Sequence, residues 1–131
     1  MAATESLGLS RIGQIAVTVH DLVEAEAFYR DRLGMRHLFT VPGMAFFDCD
    51  GVRLMLALPE APEFDHPSSL IYFTVPDIQA ARRTFGDRGV TFVAEPHLVA
   101  KMPSYDLWMA GFRDCDGNYL CLMSEVGNDG R

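Results

Sequence analysis

The feature that most limits what this 131-residue chain can fold into is that it repeats itself. Residues 15–22 read IAVTVHDL and residues 71–78 read IYFTVPDI, so Ile, Thr, Val and Asp recur at an offset of 56 positions. The correspondence continues downstream: Ala25 matches Ala81, Tyr29 matches Phe85, and the Asp31-Arg32 pair matches Asp87-Arg88. A later echo sets Asp48-Cys49-Asp50-Gly51 against Asp114-Cys115-Asp116-Gly117 at an offset of 66. The halves therefore build the same motif, the second being longer by about ten residues around 95–104.

Each copy opens on an alternating, β-branched segment suited to a strand and then presents an aspartate, Asp21 or Asp77, whose carboxylate can accept the free amides of a first helical turn. Leu22, Ala25, Tyr29 and Leu33 share one helical face, as do Ile78, Ala81 and Phe85, and Gly34 and Gly89 end the two helices. Asp-Gly between apolar runs is a hairpin signal, because glycine takes the positive φ of a tight turn. The spacing predicts strands over 12–19, 35–41, 44–49 and 52–58 with a helix over 22–33. In the second half it predicts strands over 70–75, 90–93, 106–113 and 119–124 with a helix over 78–88. The expected organisation is an extension over 1–11, one domain over 12–126 (modules 12–58 and 70–126 around a proline-bearing linker, 59–69), and a tail over 127–131.

Composition narrows the partners. Eleven lysines and arginines against 18 acids leave a net charge of −7, which repels phosphate backbones and argues against nucleic acid, while tolerating a neutral or cationic ligand. Cys49, Cys115 and Cys121 are odd in number and form no C-x-x-C pair, so neither a disulfide framework nor a zinc knuckle is indicated. Residues 1–10 lack a basic start and an apolar run, and no stretch approaches the 18 apolar residues of a membrane span; the expectation is a cytoplasmic protein with no membrane partner.

A strand ending in Val-x-Asp-Leu, a helix carrying Phe28-Tyr29, a Leu33-Gly34-Met35 exit and a late Asp114-x-Asp116-Gly117-Asn118 before an apolar terminal strand together resemble the vicinal oxygen chelate superfamily, the glyoxalase, bleomycin-resistance and dioxygenase fold. The resemblance implies an α+β fold, two tandem βαβββ modules whose curved mixed sheet encloses a cleft, and a homodimer. It also implies four metal-ligand positions, at the start of each half's first strand and the middle of its last. Here these fall on Gln14, Leu70, Met55 and Cys121. Hard and borderline divalent ions require imidazole or carboxylate donors and bind thioether poorly and leucine not at all. The expectation is thus a degenerate site, with no metal and no cofactor. A soft copper(I) site from Met55 and Cys121, or a site rebuilt from His97, His66 or Glu95, are the alternatives. His20 and His37 read as surface residues.

Without a metal the cleft becomes a box lined by Gln14, Thr18, Arg53, Met55, Leu70, Tyr72, Tyr119, Cys121 and Met123, apolar walls with a few polar groups as in a small-molecule site. Strand alternation places these opposite the apolar rows Leu54, Leu56, Leu58 and Leu120, Leu122. Arg53 can hold a carboxylate or phenolate by paired hydrogen bonds, or can pair with a rim acid. The insert over 95–104, with Trp108 beyond it, is read as a lid, a dimer contact or core; His97 and Trp108 are counted with the ligand-binding cleft, and His97, with Arg53, is the best catalytic candidate. Three functions follow: a metal-free binder of a small aromatic or cationic molecule, an enzyme (metal-dependent through other ligands, or metal-free through His97 and Arg53), or a dimerisation module with a filled cleft.

Overall fold

In the computed structural model, which describes residues 8–128, two βαβββ-type units face one another across a common core. The first comprises β1 (Gln14–Thr18), α1 (Leu22–Ala27), β2 (Arg36–Val41), β3 (Met44–Cys49) and β4 (Val52–Ala57). The second comprises β5 (Ile71–Thr74), α2 (Ile78–Asp87), β6 (Thr91–Phe92), β7 (His97–Lys101), β8 (Tyr105–Arg113) and β9 (Tyr119–Gly127). Each first strand runs parallel to its unit's last: the sheet orders are β1-β4-β3-β2 and β5-β9-β8-β6, with β7 also paired to β8. Most of residues 1–11 and of the tail lie outside the described residues.

The repeated aspartates cap as expected. Asp21 accepts a hydrogen bond from the Glu24 amide at 3.0 Å and Asp77 from the Ala80 amide at 3.1 Å, each satisfying a helix-start donor. Gly34 and Gly89 both hold positive φ, +71° and +89°, where a side chain would be strained. The first helix is not uniform, however. After Ala27 it widens into a π turn over Phe28–Arg32, in which the Leu33 amide reaches back five residues to the Phe28 carbonyl at 3.1 Å.

The second departure is the insert. Instead of an irregular loop, residues 97–101 form β7, antiparallel to β8 with His97 opposite Met109 and Lys101 opposite Asp106. The Leu-Val-Ala run satisfies its main-chain groups on the free side of β8, which a loop over the cleft would leave to water. A bulge between Leu98 and Ala100 breaks its alternation, which is why the sequence pattern hides it. The segment is therefore a sheet margin and not a lid. The linker carries only a short 3-10 turn, Pro62–Phe64.

Val17, Phe47, Leu54 and Leu56 from the first unit and Ala110, Phe112, Leu120 and Leu122 from the second are all but completely buried in one cluster, with Ala25, Phe28, Tyr29 and Ile78 from the helices. The Tyr29 hydroxyl donates to Asp114 of the β8–β9 turn at 2.6 Å. No helix among the described residues is long and apolar enough to cross a membrane.

Candidate functional site

Strand parity turns one row of each sheet into the core and leaves the other row open. On the first sheet the open row is set by register: Gln14 lies opposite Arg53, Ala16 opposite Met55, Thr18 opposite Ala57, and Phe46 opposite both Met55 and Phe39. Ala16, Thr18, Met44, Met55, Ala57, Leu58 and the linker residues Pro59, Glu60, Phe64 and His66 surround a concavity of about 280 Å³; Leu58, expected on the inward row with Leu54 and Leu56, lies past the end of β4 and is exposed on this wall instead. The linker is tied to this wall by Thr18, whose hydroxyl donates to the Phe64 carbonyl at 3.0 Å.

Beside the concavity the polar groups are ordered by one another. Arg53 Nε donates to Gln14 Oε1 at 3.0 Å, and Gln14 Nε2 donates to the Met55 sulfur at 3.7 Å. The Arg53 guanidinium stands 5.5 Å from the centre of the Phe46 ring, which stacks on Phe39 at 4.5 Å. Sequence reading missed Phe46, Phe39 and Met44; Phe46 is itself buried beneath Phe39 and Arg53, so β3 is apolar on both faces and carries no alternation to read.

The second sheet's open row builds a separate, wider-mouthed concavity of about 410 Å³ from Leu70, Tyr72, His97, Met109, Gly111, Tyr119 and Cys121. His97 Nδ1 donates to the Glu95 carbonyl at 2.8 Å, which in the neutral ring fixes the tautomer with Nε2 as the acceptor. Tyr119 lies across Gly111 so closely that a Cβ there would meet its hydroxyl at 1.9 Å, and Arg113 sits 5.3 Å from the same ring. Met123 is in register with Met109. Burial pushes the Cys121 thiol up, against a smaller opposite effect of the Ala110 backbone.

The residues expected around one box thus divide. Gln14, Thr18, Arg53 and Met55 gather on the first sheet; Leu70, Tyr72, His97, Tyr119 and Cys121 gather on the second. Arg53 and His97 are not brought together as one acid-base pair. Trp108 is in neither group. It shares the core-facing row of β8 with Ala110 and Phe112 and packs against the buried cluster.

A third cluster was not foreseen. His20 is held at both ring nitrogens, Nδ1 to Asp116 Oδ2 at 2.6 Å and Nε2 to Asp65 Oδ1 at 2.7 Å, while its amide donates to Asp116 Oδ1 at 2.9 Å. Two carboxylates on one ring favour the imidazolium, and its pKa is raised through the hydrogen bonds to Asp65 and then Asp116. His20 thereby joins the end of β1, the linker and the β8–β9 turn.

The donors at the four positions where the fold resemblance implies a metal do not fit a hard divalent ion. Gln14 offers a single amide oxygen engaged by Arg53, Met55 offers a soft thioether, Leu70 offers nothing, and Cys121 offers a soft sulfur. Among the described residues no three of His, Cys, Asp and Glu are grouped to hold a metal.

Solved structures share this arrangement. A glyoxalase, bleomycin resistance protein and dioxygenase superfamily member from Sphaerobacter thermophilus superposes with a TM-score of 0.75 at 25% identity, covering 89% of this chain and 98% of its own. A lactoylglutathione lyase from Agrobacterium tumefaciens gives 0.72 at 23% identity, covering 89% and 95%. A virulence protein from Salmonella typhimurium gives 0.76 at 19% identity, covering 92% and 100%. No curated protein matches the chain. The family model described as Glyoxalase/Bleomycin resistance protein/Dioxygenase superfamily matches residues 11–122, which together with the paired parallel-edged sheets means that the chain belongs to that superfamily.

Proposed function

We propose that the protein binds a small, largely apolar organic molecule on the open face of its first sheet, without a hard divalent metal, in the manner of a sequestering or resistance-type binder. The observation that carries this reading is the concavity of about 280 Å³ between Met44, Met55, Leu58 and Phe64, whose lining is mainly apolar with Thr18, Glu60 and His66 as its polar members. Its volume lies at the small end of ligand pockets, enough for a bicyclic aromatic body. Methionine walls adapt to such bodies by rotation about unbranched side chains. A homodimer and residence in the reducing cytoplasm go with this reading; the three cysteines carry no disulfide.

Two measurements test it. The probe 1-anilinonaphthalene-8-sulfonate should gain fluorescence with the native protein, and Met55→Trp, which fills the concavity, should abolish the gain while the fold persists by circular dichroism. After equilibration with nickel, zinc, manganese or iron(II) and dialysis, elemental analysis should find far less than one ion per chain. Stoichiometric metal, or probe binding indifferent to Met55→Trp, would overturn the proposal.

A second reading has its own observation. His97, with Nδ1 held by the Glu95 carbonyl, lines a concavity with Tyr72, Tyr119 and Cys121, an arrangement in which the neutral imidazole accepts a proton at Nε2 from a bound substrate. Turnover of a methylglyoxal hemithioacetal or a catechol that is lost in His97→Gln would favour this reading.

A further inference from the structure

We infer that Arg53 anchors an anionic head group, so that the molecule held on the first sheet is an aromatic or apolar carboxylate or phenolate. The inference rests on the reading of that face as a ligand site, and adds to it the charge of the ligand.

Three observations converge on Arg53. Its register neighbour on β3 is Asp48, the obvious counter-ion, yet the two form no ion pair; Asp48 Oδ1 instead accepts from the Gly51 amide at 3.2 Å within its own hairpin. Among the described residues Arg53 has no carboxylate partner, a state it shares with Arg32, Arg36, Arg83, Arg88 and Arg113, but it alone of these adjoins the first-sheet concavity through its neighbours Gln14 and Met55. The guanidinium is nonetheless not loose. Gln14 Oε1 accepts a hydrogen bond from its Nε–H, and its central carbon lies 5.5 Å from the centre of the Phe46 ring, so the plane is oriented and the two terminal nitrogens remain to donate. A planar fork with two free amino groups is the geometry that receives a carboxylate bidentately.

The spacing suits such a ligand. Met55 follows Arg53 on the same face at about 7 Å along the strand, so a head group on Arg53 directs an aromatic body over the Met55 wall. A cation in the same orientation would meet the guanidinium instead. Gln14 is a positioning residue here, acting through the Arg53 plane.

Calorimetric titration of the full-length protein with 2-naphthoate, and with its neutral isostere 2-naphthamide, tests the inference in the native chain, Arg53→Gln and Arg53→Lys. The native protein should bind naphthoate at least about ten-fold more tightly than naphthamide. Arg53→Gln should erase the preference, weakening naphthoate far more than naphthamide, whose carbonyl accepts only a neutral-acceptor hydrogen bond from the guanidinium. Arg53→Lys should retain only part of it, because an ammonium is a point charge without the fork. Arg53 is an exposed strand residue, so both variants should melt as the native protein does. Equal binding of the two compounds, or a preference that survives Arg53→Gln, overturns the anionic assignment while leaving the apolar site standing. Failure of both compounds to bind overturns the assignment together with the reading beneath it.

Discussion

The Tyr29 hydroxyl and Asp114 Oδ2 are 2.6 Å apart, a buried bond that ties the first helix to the β8–β9 turn across 85 residues of sequence. Asp114 is otherwise saturated by the amides of Asp116 and Asn118 and by Asn118 Nδ2, at 2.8 to 2.9 Å, so its charge is solvated entirely by the protein. Burial, and then the Asp114 charge, drive the Tyr29 pKa far upward, so the phenol stays a donor.

Removing that donor leaves a buried carboxylate one partner short. Tyr29→Phe should lower the unfolding free energy by about 1.5–3 kcal/mol, the range for a hydrogen bond to a charged group. Urea denaturation reads it as a lower midpoint at unchanged slope; an unchanged midpoint would show that Asp114 does not depend on the phenol.

The two helix caps should be energetically equivalent, since Asp21 and Asp77 make the same bond at nearly the same length. Asp21→Ala and Asp77→Ala should each cost about 1 kcal/mol, and the double variant should cost their sum. Chemical denaturation of the three variants checks both statements.

The His20 clasp gives stability a pH dependence. A folded-state pKa above the ordinary 6.5 means the contribution is fully present below that value and is lost as pH rises through the elevated one. The melting-temperature gap between the native protein and His20→Gln should therefore be wider at pH 6 than at pH 9. A gap that widened toward alkaline pH would reverse the assignment.

All three thiols should be sluggish nucleophiles. Burial, followed by Asp114 and Glu24, pushes Cys115 up to about 12; burial and then Asp48 and Asp50 raise Cys49; burial raises Cys121. At pH 7.5 the native protein should react with a chromogenic disulfide far more slowly than free cysteine, and reach free-cysteine rates only in denaturant.

Much of this was legible in the chain itself. The offset of 56 residues located both caps, the helix-ending glycines follow 55 apart, and strand parity placed Leu54, Leu56, Leu120 and Leu122 inside and Met55 and Arg53 outside. What escaped was whatever depends on a neighbour remote in sequence. The strand of residues 97–101 exists because β8 offers it a free side, and its bulge erases the period that would have announced it. Trp108 reads as a binding aromatic in isolation, but its parity with Ala110 and Phe112 assigns it to the core. The His20 cluster joins residues 45 and 96 positions apart, a separation over which no spacing rule operates.

The single buried cluster that draws on both sheets also bears on how such a chain comes apart. Two copies of a motif in tandem suggest two independent bodies on a string, yet Val17 and Leu56 share their interior with Phe112 and Leu122. Neither half can lose its structure without exposing the other's, so melting should occur in one step. A polypeptide severed within residues 59–67 would still be held by that interior, by Tyr29 on Asp114 and by Asn118 on the Thr18 carbonyl, and its two fragments should reassemble when mixed.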